Sequence, residues 1–248
     1  MDSVTAARSM RGSIGILAME WLIHQSTTEK AAARGLVSEG LEAYALGRLG
    51  VLGDCPVDDV VAAAYFWEPD TMRHMVTAGR AIMTPAQGAA IYRGICQEWG
   101  AEHLAGMADV ERLGDLLEAV VNSATPLDAP VFAGWRAMGL PPEPGPARTF
   151  QLAQVMRELR FGRHTVAVRS AGMAPLESIL SGPAGEWNAE LFGWPRPYPD
   201  VSHLADQREA VEAATDQLHA ADLDILTDDE RGELRALAKA ARAHASEG

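Results

Sequence analysis

The chain is nearly without cysteine, with Cys55 and Cys96 alone among 248 residues. Neither has another cysteine or a histidine at ligand spacing, which excludes a disulfide framework and a structural zinc site and leaves no metal to expect. Both thiols are expected to be reduced and buried. Long apolar runs are missing too: residues 57–67 are interrupted by Asp58 and Asp59, and no stretch reaches the ~20 residues needed to cross a bilayer. Arg8 and Arg11 ahead of residues 14–21 have the outline of a signal peptide, but Glu20 breaks the apolar segment and no small-residue cleavage site follows. A cytoplasmic protein without membrane contact is the expectation.

Positive charge is scarce. The net charge is −13, which opposes nonspecific coating of nucleic acid because phosphates require a field of opposite sign. Only two of the 21 basic residues are lysines, and alanine, glycine and proline are frequent, a coding bias that points to a high-GC actinobacterial source. No glycine-rich phosphate loop follows a strand, no GxSxG elbow occurs, and neither cysteine sits in a nucleophile setting. Motifs therefore assign no enzyme family, no catalytic residue and no cofactor.

What is present is helical patterning and ample apolar content, 48% of residues. Residues 139–146, GLPPEPGP, cannot continue a helix, because four prolines remove amide donors and push their neighbours toward extended conformations. They divide the chain into an N-terminal half (1–138), a proline-rich linker (139–146) and a C-terminal half (147–248). Helices are predicted over 28–49, 57–66, 71–83, 85–104, 110–121 and 131–138 in the first half. Val110, Leu113, Leu117 and Val120 recur there at the spacing of one buried face.

In the second half, helices are predicted over 146–159, 164–170 and 175–180. Val201, Leu204, Val211 and Leu218 mark a further apolar face, and Thr227 with Glu230 forms a capping box opening a last helix over 228–244. Residues 194–198, rich in proline and aromatics, could form a short wing-like ribbon. A weak internal duplication pairs 41–49, the turn 50–53 and 56–64 with 164–171, the turn 172–173 and 175–180. Each unit is helix, glycine turn, then a helix opened by proline. The fold class that results is all-α, at most with a small β-ribbon wing, built from two tandem winged-helix or helix-turn-helix-like halves packed together.

The densest chemistry lies between residues 156 and 181. Arg157, Arg160, Arg163 and Arg169 fall within thirteen positions, and Glu158 is the acid among them. On a helix Arg157 and Arg160 share a side and could present a fork to a phosphate or carboxylate, and His164 would extend that side, as donor or proton shuttle, if the helix continued through Gly162. Pairing of these arginines with the acids abundant elsewhere is the competing reading. Arg208 and Glu212 are four apart and are expected to form a partly buried ion pair that fixes one helix against another. Tyr65, Phe66 and Trp67 cannot all face one core, so they form either a seam between the halves or one wall of a cleft. Trp187 and Trp194 are expected in the core.

Taken in order, EAYALGRLGVLG, AAYFWEPDTMRHM, MRELRFGRHTVAVRSAGMAPLE and REAVEAATD resemble a family of actinobacterial helix-turn-helix-like proteins that generally have no assigned function. The resemblance spans most of residues 30–220. In its third segment Arg157, Glu158, Arg160, Gly162 and His164 are shared, while Leu159, Phe161 and Arg163 replace the family's His, Gly and Asp. If the family has a centre that uses that His and Asp, this chain has lost or altered it. REAVEAATD also resembles the helix after the wing in regulators of multiple-antibiotic-resistance type, which implies a tandem winged-helix-like architecture.

Two functions compete. A regulator would place one helix of each motif in a major groove, but residues 175–180 carry no Arg, Lys, Asn or Gln to read base edges, and Asp58 and Asp59 would repel phosphates. The favoured expectation is a scaffold that binds or transforms a small molecule in actinobacterial specialised metabolism. Its ligand-binding residues would be Arg157, Glu158, Arg160 and His164, facing Tyr65 and Trp67. DNA binding by a winged-helix regulator is the alternative.

Overall fold

A computed structural model of the chain describes residues 1–38 and 40–247. Fourteen α-helices and no strand occur among the described residues. They begin with α1 (Ser3–Gly12), α2 (Ile14–Glu20), α3 (Gln25–Ala33), α4 (Glu42–Leu49) and α5 (Val57–Ala63). Next come α6 (Pro69–Ile82), α7 (Pro85–His103), α8 (Val110–Ser123) and α9 (Pro130–Ala137). The chain continues through α10 (Pro146–Ser170), α11 (Pro175–Leu180), α12 (Gly185–Leu191), α13 (Ala205–Leu223) and α14 (Asp228–Glu247). None of these helices is long and apolar enough to cross a membrane.

Local sequence explains most starts and stops. Asp2 accepts from the Thr5 amide at 2.8 Å to open α1, and Glu68 accepts from the Thr71 amide at 2.6 Å, with Pro69 in the first turn of α6. Capping boxes open α7 (Thr84, Gln87) and α14 (Thr227, Glu230), the second as its spacing predicts. The helix expected over 28–49 is two helices instead, and its residue 39 lies outside the described residues. Gly35, at φ +87°, turns the chain so that the Leu36 amide returns to the Ala31 carbonyl at 3.0 Å and ends α3.

The opposite correction applies to 146–170. Two helices are expected there, yet α10 runs unbroken for 25 residues through Gly162. A glycine inside a helix costs about 1 kcal/mol relative to alanine. Here it admits the chain entering α9, since a Cβ at 162 would lie 2.5 Å from the Ala129 Cβ.

Helix α10 is the centre of the molecule, packing against α2, α7, α8, α9 and α13. The main core surrounds Trp21, whose ring lies 5.7 Å from Tyr92, 6.3 Å from Trp135 and 6.5 Å from Phe150. Helix α1 lies on α13 and α14. A smaller core gathers Phe66, Val168, Met173, Ile179 and Val211. The ribbon expected at 194–198 does not form, because Pro195 and Pro197 lack the amides a ladder needs. Trp194 Nε1 instead donates to the Phe66 carbonyl at 2.9 Å. Trp187 is 63% exposed, contrary to the expected core position, and Leu218 also faces outward; Cys96 is buried, whereas Cys55 is half-buried.

Candidate functional site

The arginine run of α10 fans out in three directions. Its first is an ion-pair knot against α4. Glu158, fully buried, accepts from Arg48 Nε at 2.9 Å and Arg48 Nη2 at 2.6 Å, from Gln154 Nε2 at 2.7 Å and from Arg157 Nη1 at 2.8 Å. Burial alone would raise the Glu158 pKa, but the charges of Arg48 and Arg157 outweigh it and hold the carboxyl below its ordinary value. The guanidinium of Arg48 also lies 4.6 Å above the Phe161 ring.

The second direction is toward α13 and α1. Arg160 donates to Glu212 at 3.0 Å, and Arg11 reaches the same carboxylate at 2.9 Å. Arg208 pairs with Glu212 as its four-residue spacing predicts and also donates to the Ser178 carbonyl at 2.8 Å, tying α13 to α11. His164 is stacked on Phe66, with centroids 5.5 Å apart, and its Nδ1 is 2.9 Å from Thr215 Oγ1. The Thr215 hydroxyl spends its hydrogen on the Val211 carbonyl at 2.8 Å, so His164 Nδ1 is the donor and Nε2 carries the lone pair. Burial pushes the His164 pKa down to about 4, so the ring is neutral at pH 7. The third direction joins Arg163 to Asp222 through bonds of 3.0 and 2.7 Å.

Arg157, Arg160 and His164 thus share a side of α10 but do not line the cleft beside it. That cleft, about 710 Å³, opens between α5, α9 and α10. Ala63, Val131, Phe161 and Val166 supply apolar wall, Glu158 backs it, and Cys55 reaches it from the turn before α5. Three charged side chains line it without an ion-pair partner within 4.0 Å among the described residues: Asp59, Asp128 and Arg169. Spacing along the chain could not single them out, because they come from three separate segments.

Of the aromatic candidates, Tyr65 lies near this cleft, half-buried beneath the Arg169 guanidinium at 5.9 Å from its centroid. Trp67 is buried between Tyr44 and Phe192, at centroid distances of 5.4 and 4.8 Å. Phe66 crosses into the smaller core against Phe161 and His164, so these consecutive rings do stitch neighbouring parts of the chain together. No group of three or more His, Cys, Asp or Glu among the described residues is placed to hold a metal ion.

A family model described as a helix-turn-helix family matches residues 7–201. The chain belongs to that helix-turn-helix family. No curated protein and no solved structure matches it.

Two helix pairs of this helix-turn-helix protein have the duplicated pattern. One is α4, the tight turn Gly50–Leu52, and α5. The other is the end of α10, a turn in which Gly172 (φ +66°) returns the Met173 amide to the Val168 carbonyl at 3.2 Å, and α11. Neither second helix carries an Arg, Lys, Asn or Gln. The exposed face of α5 is Asp58, Asp59 and Ala62, while α11 leaves no residue fully exposed and turns Glu177 back to cap the Ala174 amide at 2.9 Å.

Proposed function

We propose that this helix-turn-helix protein binds a small organic molecule in the cleft between α5, α9 and α10, on a scaffold of two tandem helix-turn-helix-like halves joined through 139–146. The observation that supports it is the cleft itself. Its volume of about 710 Å³ falls within the ~300–1,000 Å³ of ligand sites, which are typically apolar with a few placed polar groups. The unpaired Asp59, Asp128 and Arg169 supply such groups. Arg169 lines the cleft and has the Tyr65 ring 5.9 Å from its guanidinium, and the Arg48–Glu158–Arg157 knot backs the wall beside Phe161.

The test is a fragment screen by ligand-observed NMR on the wild type and on Ala62→Trp and Thr165→Trp, which fill the cleft from α5 and α10. Hits that bind the wild type and are lost in both variants support the reading. Hits indifferent to both variants, or none at all, overturn it.

Family membership favours a second reading, DNA binding. The acidic face of α5 and the net charge of −13 oppose it. Selection from a random duplex pool would decide, and a recovered consensus bound tightly at physiological salt would put this reading first.

A further inference from the structure

We propose a second site, for the phosphate or sulfate group of a small molecule, where α1, α10 and α13 meet. Four guanidinium groups converge there on two carboxylates. Arg11, Arg160 and Arg208 pair with Glu212, and Arg8 and Arg160 approach Asp216 at 3.4 and 3.5 Å. Among the described residues, Glu212 and Asp216 are the acids within ion-pair distance of these arginines. The cluster therefore carries a formal excess of two positive charges, in a chain whose net charge is −13.

The side chains of Arg160 and Arg208, only 15% and 19% exposed, are balanced by the buried Glu212 and Asp216, so the excess of two rests on Arg8 and Arg11 at the surface. Arg160 Nε is buried without an acceptor. Asp216 Oδ1 likewise lacks a hydrogen bond, but it lies 3.5 Å from Arg160 Nη2, so its charge has an opposite neighbour. At His164 burial disfavours the imidazolium, the Glu212 carboxylate favours it, and Arg208, Arg160 and Arg11 each oppose it.

The open side of the cluster belongs to α1. Arg8 and Arg11 are three residues apart and so project from one face, with side chains 66% and 55% exposed. Each spends one nitrogen on α13, Arg8 its Nε and Arg11 one Nη, which leaves outward N–H groups in the fork geometry that matches an oxyanion. A dianion offsets the excess of two, whereas a carboxylate offsets half of it. A duplex is the poorer partner, because it extends beyond the cluster over a chain whose net charge is −13.

Equilibrium dialysis of the full chain against radiolabelled sulfate, at ionic strength fixed with sodium chloride, tests the site. The wild type should bind one equivalent saturably, inorganic phosphate should compete, and acetate should compete at least tenfold more weakly. Arg8→Gln/Arg11→Gln, whose side chains are exposed, should weaken binding at least tenfold with an unchanged circular dichroism spectrum. Arg34→Gln/Arg73→Gln, which removes the same charge elsewhere, should bind as the wild type does. No saturable binding by the wild type overturns the proposal, and this arm needs no variant to fold. Equal loss in both double variants, or acetate binding as tightly as sulfate, also overturns it. Displacement of sulfate by a lower concentration of generic duplex would reassign the cluster to nucleic acid.

Discussion

Arg48 and Glu158 are 110 positions apart, yet they close two hydrogen bonds with both side chains at 2% exposure or less. A charge desolvated to this degree is tolerable only while its partner is present. Arg48→Met should therefore cost about 3–5 kcal/mol, because the Glu158 carboxylate would keep only Arg157 and Gln154. Replacing both partners, as in Arg48→Met/Glu158→Leu, should recover part of that loss. Urea titration of the three proteins checks this, and a single variant within about 0.5 kcal/mol of wild type would contradict it.

Acid should destabilise the protein in two stages. Unfolded His164 takes its proton near 6.5 and the folded ring refuses it until about 4. The stability it contributes is therefore fully present above pH 6.5 and is lost as pH falls toward 4. The shift is worth roughly 3 kcal/mol by linkage. Glu212, held down to about 2 against an ordinary 4.5 by the facing His164 and arginine charges despite burial, extends the loss from pH 4.5 toward 2. His164→Gln should flatten the stability profile between pH 6.5 and 4, leaving a residual slope from His219, whose pKa burial also lowers. Denaturation midpoints measured at half-unit pH steps would show whether that slope changes.

Gly162→Ala should loosen the junction of α9 and α10. The new methyl would lie 2.5 Å from the Ala129 Cβ and 3.1 Å from its Cα, both too close, so the helices must move apart. Overpacking of this kind costs about 1–3 kcal/mol, outweighing the helix propensity that alanine adds. The same movement opens the cleft, so cleft ligands should bind less tightly. A variant as stable as the wild type would show that the approach can relax without cost.

Duplex DNA of random sequence should bind weakly at physiological salt, since α5 exposes Asp58 and Asp59 and most arginines are already paired with acids. A gel-shift titration measures this. Submicromolar affinity would move the regulator reading ahead of ligand binding.

Helix content and the cap of α14 were legible from residues alone, because Thr227 and Glu230 act over three positions. The arginine run was legible as a cluster but not as a site. Periodicity places Arg157, Arg160 and His164 on one side of α10, yet the partners of Arg160 and His164 lie on α13, and the carboxylate that Arg157 meets is shared with Arg48 of α4, in segments the chain meets only after folding. Arg8 and Arg11 read as the flank of a leader segment, with nothing local to show that α13 brings Glu212 and Asp216 to them. Asp59, Asp128 and Arg169 were illegible for the same reason. Leu218 misled because its spacing from Val211 fits a helix face whose outer part no neighbour covers.

The docking of α1 on α13 and α14 sets an order of events during synthesis. Arg8 meets Asp216 across 208 positions. At translation speeds of ~5–20 residues per second, roughly 10–40 s separate the emergence of the two. Throughout that interval Ala6, Ala7 and Met10, all buried in the finished molecule, lack the helices that cover them. Helix α1 is made well before α13 yet docks on it only afterwards, and a chain interrupted before α13 would leave that apolar stripe available to chaperones or to other nascent chains.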